Sequence, residues 1–132
     1  MAVELNHIIV YARDKWASAK FLADILGVEA GPEWAHFVPV KTDNGVTIDF
    51  AQSQNIRTQH CAFLLGDKEF DAALARLKAS GAKFYAEFDG SGPGKINDLY
   101  GGRGVYFNSA DGHVFEMITK PYGAVPQMWR EK

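Results

Sequence analysis

Gly104-Val105-Tyr106-Phe107-Asn108-Ser109-Ala110-Asp111-Gly112-His113-Val114-Phe115-Glu116-Met117-Ile118 reads as two strands joined at an Asp-Gly turn, a strong hairpin signal. The second strand, VFEMI over 114–118, is apolar except for one residue. Alternation puts Val114, Glu116 and Ile118 on one face and Phe115 and Met117 on the other. Both faces have the composition of buried surface. An ionised carboxylate buried without a partner costs on the order of several kcal/mol. The chain must therefore supply Glu116 with partners, and the search for them decides the fold.

Working outward, the same arrangement occurs earlier. TIDFA over 47–51 places Asp49 inside an apolar strand, shortly after an Asp43-Asn44-Gly45 turn. Upstream of each carboxylate lies a strand with a histidine, LNHIIVY over 5–11 with His7 and QHCAFLL over 59–65 with His60. Each is followed by a helix. Asp14 reads as the cap of a helix running to Leu26 with Gly27 as its stop, and Asp67 as the cap of one running to Ser80 with Gly81 as its stop. Ala19, Leu22, Ile25 and Leu26 fall on one face of the first, and Phe70, Ala73, Leu74 and Leu77 on one face of the second. Strands are predicted near 35–40 and 46–51 in the first half, and near 83–87, 104–108 and 114–119 in the second.

The halves register closely. His7 precedes Asp14 by seven positions and His60 precedes Asp67 by seven. The sequence is therefore read as an internal repeat: an α+β chain of two tandem βαβββ modules, over 4–53 and 57–120, within a single domain spanning 1–132. The Gly-rich stretch 88–103 (FDGSGPGKINDLYGGR) has no counterpart in the first module and reads as a loop. The tail 121–132 is expected to be irregular, with Met128 and Trp129 packing across a dimer seam.

Composition narrows the function. Fourteen basic and sixteen acidic residues leave a net charge of −2, no electrostatic footprint for nucleic acid or an anionic membrane. No apolar run reaches the roughly 18 residues of a membrane span, and the N-terminus does not read as a signal peptide. A single cysteine, Cys61, excludes an internal disulfide framework, so a cytoplasmic location is expected.

A lone strand histidine is more often a hydrogen-bonded core residue, and a lone strand carboxylate more often faces solvent. Two of each at repeat-equivalent places point instead to a divalent metal, for which imidazole and carboxylate are suitable ligands. A cation would also neutralise the buried Glu116. The candidate ligands are His7, His60, Glu116 and, less directly, Asp49.

The chain resembles the vicinal oxygen chelate superfamily, which includes glyoxalase I, fosfomycin-resistance enzymes, bleomycin-binding proteins and extradiol dioxygenases. The resemblance covers residues 3 to about 119 and rests on the doubled unit, on NHIIVYARD with its following helix, and on YFNSADGHVFEMI. It implies a glyoxalase/dioxygenase-like fold in which each module is a cup-shaped, strongly curved mixed sheet and two cups form one site. It also implies a homodimer in which that site is shared between subunits, one divalent metal ion per site and a small-molecule substrate.

His7, His60 and Glu116 match the two-histidine, one-carboxylate set of the extradiol dioxygenases. Tyr106, ten residues before Glu116, stands where those enzymes carry a tyrosine beside the substrate and is the candidate acid or proton shuttle. Asn97 stands near the place of a further histidine of theirs. Against glyoxalase I, the chain has Tyr11 in place of an arginine and Ser53 in place of an asparagine, both glutathione contacts there. Substrate contacts are expected from Arg103, Tyr11, Asn97, Trp34 and Phe37. Tyr100 is a further cup candidate, whereas Phe50 and Phe63 read as core. The segment KINDLYGGRGVYF resembles relatives that oxidise aromatic polyketides. The resemblance thus implies a dioxygenase-like oxidation of an aromatic or vicinally oxygenated molecule with O2, with Fe(II) favoured over Ni, Zn, Mn or Co. The alternatives are a glyoxalase I-type lyase or isomerase and a resistance-type binding protein without catalysis.

Overall fold

A computed structural model of the chain describes residues 2–121; the tail with Met128 and Trp129 lies outside the described residues. The elements in order are β1 (His7–Ala12), α1 (Lys15–Leu26), β2 (Phe37–Lys41), β3 (Thr47–Gln52), β4 (His60–Leu64), α2 (Asp67–Ala79), β5 (Phe84–Tyr85), a short 3-10 turn (Leu99–Gly101), β6 (Gly104–Asn108) and β7 (Val114–Ile118). They form an α+β fold with two mixed sheets. The chain divides into two compact units. One comprises the described residues up to Gln59 together with Ser109–Gly112, and the other His60–Asn108 and the described residues from His113 on. Among the described residues no helix is long and apolar enough to cross a membrane.

In the first unit β3 is central, parallel to β1 and antiparallel to β2. The module's remaining strand is reduced to a single bridge between Ala30 and Val40. The register puts Val10, Ala12, Val38, Val40, Ile48 and Phe50 on one face, all of them buried. Helix α1 turns Ala19, Leu22 and Ile25 inward to complete this core. Its boundaries are those of the sequence. The Asp14 carboxylate accepts from the Ala17 N–H at 3.0 Å, satisfying a helix N–H that would otherwise lack a partner. Gly27 closes the helix at φ 78°, where a side chain would be strained. Asp111 of the β6–β7 turn counts with this unit. Its sheltered carboxylate accepts from the backbone N–H and guanidinium of Arg13, each at 3.2 Å, and from the Ser18 hydroxyl at 3.1 Å.

In the second unit the strand order is β4-β7-β6-β5, with β4 parallel to β7 and the other pairs antiparallel. One face carries Val105, Phe107, Phe115 and Met117, none of them exposed to solvent. Phe115 packs at ring-centroid distances of 5.6 Å from Phe107 and 6.3 Å from Phe63. Helix α2 contributes Phe70, Ala73 and Leu77, equally buried. Burying such side chains is worth about 1.5–3 kcal/mol each, and this burial fixes which way each strand faces.

Two details depart from the sequence reading. The cap of α2 is Gly66 and makes no side-chain capping bond; Asp67 lies inside the first turn. The reason is competition, because the Asp67 carboxylate is engaged by Arg103 at 3.1 Å. Strand β5 is also shorter than expected. After Tyr85 the chain folds back on its own loop, Ala86 N–H donating to Gly92 at 3.1 Å and Glu87 N–H to Ser91 at 3.1 Å.

Candidate metal centre

The open face of the second sheet is set by register. Glu116 lies opposite Tyr106 on β6 and opposite Ala62 on β4, and His60 precedes Ala62 by two residues. His60, Glu116 and Tyr106 therefore project to the side away from Phe107 and Phe115. Their groups meet. His60 Nε2 lies 2.8 Å from Glu116 Oε1, and the Tyr106 hydroxyl donates to the Glu116 carboxylate. Glu116 is only 5% exposed, so the partners that the sequence demanded are an imidazole and a phenol. The Tyr106 phenol is pushed up to about 12, first by burial, then by the charge of Glu116 and the hydrogen bond to it. At neutral pH it stays a proton donor.

Aromatic rings surround this trio. Tyr85, on the same face, stacks on Tyr106 at 6.1 Å and donates to Asn108 Oδ1. Burial pushes the Tyr85 phenol up. Phe88 stands edge-on to Tyr106 at 5.9 Å and 5.1 Å from the His60 ring. Tyr85 and Asn108 also line a cleft of about 390 Å³ together with Phe84, Pro93 and Lys83.

The first sheet repeats the register. Asp49 on β3 lies opposite Ile9 on β1, and His7 precedes Ile9 by two residues, the relation that His60 bears to Glu116. His7, Tyr11, Asp49 and Phe37 share one face of this sheet. The head groups differ from those of the second sheet. His7 Nδ1 lies 2.8 Å from the side-chain oxygen of Asn6. Asp49 is one methylene shorter than a glutamate and 8% exposed, and its carboxylate makes no hydrogen bond or ion pair with another of the described residues. Tyr11 is 42% exposed and Trp34 72%. Trp34 and Phe37 exchange backbone hydrogen bonds, each 2.8 Å, across a two-residue turn in which Ala35 and His36 both have positive φ, 48° and 69°. Non-glycine residues in that region carry strain.

Two expected substrate contacts are engaged elsewhere. Arg103 sits one residue before β6, out of phase with Tyr106. Its guanidinium reaches Asp71 at 2.5 Å and Asp67 at 3.1 Å and lies 4.8 Å over the Phe70 ring, all on α2. The Asn97 amide donates to the Ala86 carbonyl at 2.8 Å and accepts from the Leu99 N–H at 3.1 Å, which shapes the loop. The sequence reading passed over Phe88, Tyr85 and Asn108. Strand parity alone marks Asn108 as sharing the face of Tyr106, whereas no local signal in the sequence marks Phe88.

Among the described residues, no group of three or more His, Cys, Asp and Glu stands together as a metal site. The His60–Glu116 pair nevertheless suits two ligands of one ion. Adjacent donors about 2.1 Å from a cation lie about 3.0 Å apart at octahedral angles and about 3.4 Å apart at tetrahedral ones, so a small separation from the 2.8 Å found here would admit an ion. Imidazole with carboxylate is also a donor set for a borderline divalent metal.

No family model matches the chain. Among solved structures it is similar to oxidase ChaP-H2, at 47% identity and a TM-score of 0.89, over 93% of this chain and 98% of that one. It is similar also to the fosfomycin resistance protein FosX from Listeria monocytogenes, at 23% identity and a TM-score of 0.71, over 94% and 98% of the two chains. A glyoxalase/dioxygenase from Nostoc punctiforme matches at 21% identity and a TM-score of 0.69, over 89% and 91%. The last two bear on the fold alone; the first carries kinship along nearly the whole sequence.

Proposed function

The chain belongs to the vicinal oxygen chelate superfamily, and from that premise we propose that it is a metal-dependent, dioxygenase-like oxidase of an aromatic or vicinally oxygenated small molecule. The observation that carries the reading is the His60–Glu116 pair at 2.8 Å with the Tyr106 hydroxyl on the same carboxylate. Near-half identity to an oxidase supports the redox branch over the alternatives. His60 and Glu116 would hold the ion, completed by His7, with Asp49 as a fourth donor, from the first unit of a second copy of the chain. We thus propose a homodimer with shared sites. Bound there, a divalent ion (Fe(II) above Ni, Zn, Mn or Co) would supply the charge that draws two adjacent substrate oxygens together and the redox chemistry with O2.

The chain's own groups do the rest. Tyr106 keeps its proton on the phenol oxygen and points it at Glu116. The carboxylate is thereby oriented by a neutral donor, which is what a ligand carboxylate requires of its neighbour. His60, with its side chain 40% exposed, is the member of the pair open to an incoming molecule. Tyr85, Phe88 and Tyr106 line the approach with aromatic surface that excludes water from one side. On the other sheet, Tyr11, Trp34 and Phe37 offer further flat surface. Arg103 serves this site indirectly, by holding α2 beneath β6.

The test is to strip metal with a chelator, restore Fe(II), and follow oxygen consumption with catechol-type substrates. Oxygen uptake that requires Fe(II) and Glu116 is expected. If no metal and no catechol produces uptake, while a hemithioacetal is turned over with Ni or Zn, the lyase reading replaces this one.

A further inference from the structure

We infer that Phe88 is the residue that selects planar aromatic substrates, as an aromatic wall beside the chelating pair; this rests on the metal-binding role proposed for His60 and Glu116. Phe88 is 56% exposed, yet its ring does not turn toward the apolar face of the sheet. It stands 5.1 Å from the His60 ring, tilted by 46°, and edge-on to Tyr106 at 5.9 Å. Tyr85 stacks behind Tyr106 at 6.1 Å. An exposed phenylalanine that packs on two polar members of a site, away from the core, has its free surface where a ligand of that site would lie.

The backbone on either side of Phe88 is tied down. Gly90 N–H closes a turn onto the Glu87 carbonyl at 3.0 Å, and Glu87 N–H reaches Ser91 at 3.1 Å. The Asp89 carboxylate ties the Ser91 N–H at 2.9 Å and its hydroxyl at 2.6 Å. Gly90 has φ 90°, a conformation that frees the corner for glycine alone. Phe88 thus sits at a corner whose neighbours on both sides are bonded. A ring carried on a bonded corner binds with less loss of backbone freedom than one on an open loop. A molecule that brings two oxygens to the ion that His60 and Glu116 would hold lies beside the His60 ring, and Phe88 is 5.1 Å from that ring, within the about 4.5–7 Å over which aromatic rings interact. A flat aromatic gains from that contact. A small aliphatic chelator of the same two oxygens does not reach it.

The experiment uses protein loaded with Zn(II), which prevents oxidative turnover. Calorimetric titration follows two probes, 2,3-dihydroxynaphthalene and oxalate, in wild type, Phe88→Leu and Phe88→Tyr. Phe88→Leu is expected to weaken the diol about tenfold and leave oxalate within about twofold, while Phe88→Tyr, which keeps the ring, holds both. Unchanged oxalate also reports that the Leu variant is folded around its metal. Equal losses for the two probes, or no loss for either, would overturn the inference while leaving the chelating site intact. If wild type binds neither probe, the chelating site itself is wrong and the inference falls with it.

Discussion

Replacing Glu116 with glutamine tests the centre of the reading, because the effect on a neighbour can be worked out beforehand. Tyr106 is pushed up to about 12 from an ordinary value near 10 by burial first and by Glu116 second, through charge and hydrogen bond together. Glutamine keeps the shape, the burial and a carbonyl to accept the phenol's bond, and removes only the charge. Tyr106 in Glu116→Gln should therefore titrate above its ordinary value but below that of the wild type. The sign for stability follows. A phenol whose folded pKa is raised stabilises the native chain fully below about pH 10, and the contribution is lost as pH rises through about 12. Two pKa units correspond to roughly 3 kcal/mol, and the glutamine variant should lose its smaller share at lower pH. Absorbance at 295 nm reads tyrosinate directly, and Tyr106→Phe identifies which of the five tyrosines is the late one. A Tyr106 step that stays near 12 in Glu116→Gln would refute a charged carboxylate beside the phenol. A step at the ordinary value would refute burial as the first cause. The same variant should lose more than about a hundredfold in metal affinity by competition with a chromogenic chelator.

If sites are shared between two chains, mixing inactive His7→Ala and His60→Ala proteins and letting them exchange should restore about a quarter of wild-type oxygen uptake; no recovery would place each site within one chain. Arg103→Leu should lower the thermal midpoint modestly while metal affinity stays at the wild-type value, since the guanidinium serves α2; a loss of metal would assign it to the site. Ala35→Asn with His36→Gly should raise stability by about 1–2 kcal/mol in urea unfolding, because both positions have positive φ and the new pair prefers it. Phe107→Ala, which empties a fully buried position, should cost about 4 kcal/mol in the same assay.

The sequence carried much of this because the decisive signals are local. Asp14 and Gly27 bound α1 by backbone chemistry, and Asp111-Gly112 sets the turn that aligns β6 with β7, hence Tyr106 with Glu116. The repeat was legible because strand register is fixed by which residues must be buried, and both units bury the same parity. Reading failed where a distant partner outbid a local preference. Asp67 has the chemistry of a cap, yet Arg103 takes its carboxylate. Arg103 itself was drawn toward the site by its place in the loop, although counting back from Tyr106 puts it on the helix side. Asn97 turns inward to the loop's own backbone, and the position of Phe88 depends on bonds between Glu87, Gly90 and Ser91 that no motif announces.

The matched offset of histidine and carboxylate in both sheets has a consequence for how this lineage can change length. One residue inserted within β4 ahead of Ala62, or within β1 ahead of Ile9, would rotate the imidazole to the wrong side of its sheet, however well the rest folded. An insertion within either strand would thus break the pairing of imidazole and carboxylate, whereas one between Gly94 and Asn97 would leave both offsets, and the bonded corner at Phe88, as they are. Descent through the duplicated halves preserves a count rather than a composition, and novelty enters where nothing is being counted.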